Sequence, residues 1–90
     1  MLTIHKHGLL LTDKQELVLP KYAMFLDFQV QRGALTTWWL VHDDNDTENR
    51  TLVIAGTGRS IEHPIDCLSH LGTVQVGVWV WHLFELLDVV

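Results

Sequence analysis

The chain predicts an all-β fold: a small antiparallel sandwich or barrel of roughly six to seven short strands, with at most one short helix. Apolar and polar residues alternate with period two in several stretches, as strands with one buried face require. Polar or glycine-bearing segments such as "TDKQ", "RGA" and "DDNDTENR" divide those stretches into strand-sized pieces. Only "IDCLSH", just after Pro64, carries a helix-start signal.

Each element follows from its residues. "LTIHKHG" sets Leu2 and Ile4 on one face and Thr3, His5 and His7 on the other, which predicts an edge strand with its histidines on the wet side. "TDKQ" is a turn, and "ELVLP" a short strand ended by Pro20, which has no N–H for a ladder. In "AMFLDFQVQ", Met24, Leu26, Phe28 and Val30 oppose Phe25, Asp27, Gln29 and Gln31. "RGA" is a hairpin turn in which Gly33 is free to take positive φ. "LTTWWLVH" returns, and its adjacent Trp38 and Trp39 must face opposite sides, one to the core and one to a second partner. "DDNDTENR" reads as a solvated loop and "TLVIAG" as the next strand. "LGTVQV" and "VWVWHLFELL" form a last pair about Gly77, a hairpin turn or a bulge.

Ninety residues make one β domain spanning positions 1–90, near the lower end of what one core stabilises. Hydrophobic residues are 48%, a high share for so small a chain, which predicts apolar surface shared in a homo-oligomer. Net charge is −5 with only six Lys and Arg, so the phosphate neutralisation that nucleic-acid polymers demand is missing. Cys67 is the sole cysteine, which excludes an internal disulfide and suits a reducing cytoplasm. No leader peptide is expected at the N-terminus. No membrane span is expected either, since His82, Glu85 and Asp88 interrupt the longest apolar run.

Three stretches resemble a family of small phage and prophage proteins of uncharacterised function: "IHKHGLLLTDKQELVLPKYAMFLDFQVQ" (4–31), "ENRTLVIAGTG" (48–58) and "LGTVQVGVWVWHLFE" (71–85). The resemblance implies a phage gene expressed in a bacterial host cytoplasm. It brings no catalytic residues, and Arg59 stands where the family pattern has His more often.

The candidate site is Gly56-Thr57-Gly58-Arg59. Successive amides in a glycine-rich turn form a concave anion site, and Arg59 would add charge-assisted bonds. The other reading is a strand-ending turn alone, because neither a Walker loop nor a dinucleotide fingerprint, each with its following helix, is present. Trp38 and Trp39 are candidate ligand-stacking residues; core packing and an oligomer interface are the alternatives for all four tryptophans, of which Trp79 and Trp81 share a face. His5 and His7 share a face but need a third ligand to hold zinc. Cys67 and His70 are three apart, with no oxyanion arrangement beside them. No catalytic constellation and no cofactor motif is read.

The expected role is therefore a phage-encoded, non-enzymatic binding protein in the host cytoplasm. It would act in counter-defence, sequestering a small nucleotide-derived signal by its phosphates and base. The alternative is an interaction module docking on a host or virion protein through exposed aromatics, and a small hydrolase ranks third.

Overall fold

In the computed structural model, which describes residues 1–88, the chain forms seven strands. These are β1 (Leu2–Gly8), β2 (Lys14–Pro20), β3 (Met24–Gln31), β4 (Ala34–His42), β5 (Thr47–Gly56), β6 (Leu68–Val76) and β7 (Trp79–Leu86). They make two antiparallel sheets, ordered β1-β4-β3 and β2-β5-β7-β6. The sandwich encloses one core, built on Leu19, Phe28, Trp39, Leu52, Ile54 and Leu83. The sheets draw together along the β3/β6 side, where a Cβ on Gly72 would stand 3.2 Å from that of Phe28. A side chain at position 72 would have to push Phe28 aside.

The tight turns follow local chemistry. Arg32 and Gly33 take φ of 51° and 78°, the left-handed pair that a two-residue hairpin with native twist needs. Gly77, at φ 60°, opens the β6–β7 hairpin, which decides for a turn over one long bent strand. The helix over "IDCLSH" shrinks to a single 3-10 turn, Ile65–Cys67, and Leu68 to His70 join β6. Polar composition also misled at "DDNDTENR": Thr47 to Arg50 belong to β5, held opposite Pro20 to Leu17 of β2.

Two face assignments differ from the sequence pattern. In β1, Leu2 and Ile4 are exposed, whereas Thr3, His5 and His7 are half-buried on the inner side. Register decides this, because His7, His5 and Thr3 pair with Thr37, Trp39 and Val41, the fully enclosed positions of β4. A period-two strand has no choice once its neighbour's buried face is fixed. In β3 the register shifts between Phe25 and Asp27, and this bulge at Leu26 breaks the alternation. Phe25 thereby turns inward with Phe28 and meets Trp39 edge-on at 5.3 Å, while Met24 and Leu26 face outward.

One arginine, ion-paired within its own sheet, also reaches the other layer. The Arg50 guanidinium grips Glu85 through Nε to Oε2 and through Nη2 to Oε1 at 2.9 Å. Its Nη1 donates to the Ala23 carbonyl at 3.0 Å, and its Cζ lies over the Trp39 ring, 5.2 Å from the ring centre. The bond to Glu85 raises the Arg50 pKa further above its ordinary value, against the opposing pull of burial. Glu85 is 8% exposed, so it relies on this partner.

Two outcomes are expected. Arg50→Ala strands a buried carboxylate and should lower stability to chemical denaturation by about 3–5 kcal/mol, whereas Arg50→Met with Glu85→Leu should lose less. The second concerns His7, whose Nε2 is buried without a partner. Burial, and after it the charge of His5, lowers the His7 pKa from 6.5. The unfolded chain then binds more protons just below pH 6.5, so this contribution is present above that pH and lost as pH falls through the folded pKa. The denaturation midpoint should drop less between neutral and mildly acidic pH in His7→Gln than in wild type; equal drops would remove His7 as the cause.

Candidate functional site

The sequence-selected turn sits where β5 outruns its neighbour. The β2 pairing ends with Lys14 opposite Val53, followed by one bond from the Ile54 N–H to the Asp13 carbonyl at 3.1 Å. Beyond that point β5 continues to Gly56 with its β2 side open. The chain then turns: the Thr57 N–H donates to Val80 at 3.2 Å and the Arg59 N–H to Gly56 at 3.1 Å. Gly58 carries the turn at φ 87°. Thr57, Gly58 and Arg59 are exposed.

Two hollows meet there. One, of about 620 Å³, lies at the open β5 edge and is lined by Asp13, Lys14, Gly56, Arg59, Glu62 and His63 among others. The second, of about 390 Å³, is bounded by Gly56, Thr57, Arg59, Val78, Trp79 and Trp81. Gly56 and Arg59 belong to both. Trp81 pairs with Gly56 across the β5–β7 ladder, and a Cβ on Gly56 would lie 3.1 Å from its Cζ3. The missing side chain is therefore what lets the indole lie against the backbone. Trp79 stacks beside Trp81, with ring centres 6.2 Å apart and planes at 22°, and is 62% exposed.

The tryptophans at the turn are thus Trp79 and Trp81, not Trp38 and Trp39. Trp39 is fully enclosed, and its indole N–H donates to Thr37 Oγ1 at 2.9 Å. Trp38 is half-buried on the outer face of the other sheet, between Lys6 and Asp27. The adjacency of Trp38 and Trp39 correctly gives one core and one outer ring. It carries no information about which strand lies beside β5.

A hydrogen-bonded chain on the opposite face of β7 was not legible in the sequence. Thr57 Oγ1 and His82 Nε2 are 2.7 Å apart, His82 Nδ1 and Thr73 Oγ1 2.9 Å, and Thr73 Oγ1 and His70 Nε2 3.0 Å. Both imidazole nitrogens of His82 are held by hydroxyls, which fixes the ring and, through Thr57, the turn. His70 serves this chain and packs on Phe84, with ring centres 5.3 Å apart. Cys67 is half-buried in the 3-10 turn. His5 and His7 have ring centres 6.2 Å apart, and among the described residues no third His, Cys, Asp or Glu joins them as a metal-holding group. Among those residues, too, no helix is long and apolar enough to cross a membrane.

By fold and site the chain is a two-sheet β-sandwich with a glycine turn and a tryptophan pair on one rim. Over residues 1–89 it matches the family described as Domain of unknown function (DUF7352), and it belongs to that family. No curated protein and no solved structure matches it.

The turn geometry separates two substitutions. Nothing lies within 4 Å of a Cβ built on Gly58, so Gly58→Val meets backbone strain alone. That should cost about 1–3 kcal/mol. Arg59→Ala, at an exposed position, should stay within about 0.5 kcal/mol of wild type. Equal melting temperatures for wild type and Gly58→Val would show that the positive φ is not required.

Proposed function

We propose that the protein is a non-enzymatic binding protein for a small ligand that joins a flat ring to an anionic group, as nucleotide-derived signals do. The observation that carries this reading is the stacked Trp79–Trp81 pair sharing one hollow with Gly56, Thr57 and Arg59. An exposed indole offers a π-face to any base, and stacking on such a ring contributes about 1–3 kcal/mol per base. Arg59 and Lys14 flank the adjoining groove and supply positive charge in a chain of net charge −5. The backbone at Gly58 has no side chain to hold a phosphate away, and nothing else lies within 4 Å of where one would stand.

The resemblance to small phage and prophage proteins supports a phage gene acting in a bacterial host cytoplasm. A sequestering, counter-defence role suits such a protein, since it needs an affinity site and no catalytic group. The second reading is docking on a host or virion protein through the β6–β7 hairpin tip, where Val78 is 86% exposed beside Trp79.

Calorimetric titration with cyclic and linear nucleotide signals tests both. A phosphate held by Arg59 gains about 1.5–3 kcal/mol, so Arg59→Ala should weaken binding by about 10–100-fold. Trp79→Ala should weaken it too, while Trp38→Ala should not. Ligand released by denaturing the complex should be chemically intact; an altered product would replace binding with hydrolysis. If no nucleotide binds wild type, the ligand reading falls and the docking reading takes its place.

A further inference from the structure

The outer face of the β1-β4-β3 sheet holds an apolar block that nothing among the described residues covers. Cross-strand pairing sets Ile4, Leu40 and Met24 in one row and Lys6, Trp38 and Asp27 in the next. Leu2 and Leu26 extend the apolar block. Exposure is 55% at Leu2, 57% at Ile4, 57% at Met24 and 42% at Leu26. Six apolar residues, Leu2, Ile4, Met24, Leu26, Trp38 and Leu40, thus share this face with Lys6 and Asp27. Contiguous exposed apolar patches of this kind on a soluble chain are often functional.

We propose that this face binds a second copy of the same chain, with a two-fold axis lying in the interface and running along β4. The charge pattern selects this occupant and this axis. Lys6 and Asp27 flank Trp38 on opposite sides, and neither has a charged partner in its own chain among the described residues. Lys6 Nζ donates instead to the amide oxygen of Gln31 at 3.0 Å. Rotation about an axis along β4 exchanges the two edges of the sheet. Lys6 of each copy then meets Asp27 of the other, Ile4 meets Met24, and Trp38 and Leu40 meet their own counterparts. An in-plane axis across the strands would bring Lys6 to Lys6 and Asp27 to Asp27 if it crossed at their own row, and if it crossed at the Ile4–Leu40–Met24 row would set Lys6 against Leu2. An isologous interface must be self-complementary, and only the first axis makes it so. Face-to-face packing of two twisted sheets is an established geometry. The turn at Gly56–Arg59 is on the other sheet, so the dimer leaves the proposed ligand site free.

The test is a charge swap read by sedimentation and native mass spectrometry on the full chain. Wild type should dimerise. Lys6→Glu alone and Asp27→Lys alone each set like charges together at two symmetric positions, and each should weaken the dimer by about tenfold or more. An equimolar mixture of the two single variants should form a heterodimer of wild-type strength, because both of its contacts are then between opposite charges. Both positions are exposed, and unchanged melting temperatures should show that the variants fold. A wild type that stays monomeric at its highest soluble concentration overturns the proposal. So does a dimer that neither single variant weakens, or a mixture no more dimeric than its components; each leaves the face to a different partner.

Discussion

The Arg50–Glu85 pair is the contact through which the two sheets and a connecting segment hold one another. Arg50 comes from β5 and Glu85 from β7, so the bidentate contact fastens neighbouring strands of one sheet. The same guanidinium reaches the Ala23 carbonyl before β3 and covers the face of Trp39 in β4. A planar fork with donors on several edges suits this place, and a lysine could not make the same contacts. Its neighbours require it in turn: an enclosed carboxylate and an enclosed indole face would otherwise lose their partner. Because β5 is anchored at Arg50, and Leu52 and Ile54 fill the core, Gly56 arrives at the rim in a fixed place.

Rigidity at the rim comes from both faces of β7. On one face, Trp81 lies against the bare backbone of Gly56. On the other, His82 holds Thr57 and is held by Thr73 and His70. A binding surface gains affinity when its parts are ordered before the ligand arrives. The exposed members of the candidate site, Trp79 and Arg59, therefore project from a frame that is already bonded.

Much of this was legible in the residues, and what was not has a common cause. The hairpin at Arg32-Gly33, the strand through "TLVIAG", the special backbone at Gly58 and the opposed indoles of Trp38 and Trp39 follow from local sterics and period two. Facts that depend on a neighbour were hidden. The histidines of β1 turn inward because of β4, and the Leu26 bulge redirects Phe25. Arg50 reads as a loop residue until Glu85 is placed beside it, and the rim tryptophans are those of β7 because β7 pairs with β5. Register and strand order are properties of pairs of segments, and a pattern within one segment does not encode them.

The position of β7 also bears on how the nascent chain reaches this state. It is the last of the seven strands to be synthesised, yet it lies between β5 and β6 in the interior of its sheet. Until residue 86 has left the ribosome, β5 offers an open ladder edge, with Leu52 to Ala55 still uncovered on that side. Such an edge is a template for pairing with other chains. Earlier strands can be arranged during translation, but the sandwich closes only after synthesis of its strands is complete. That interval leaves "TLVIA" open to misassociation or chaperone capture.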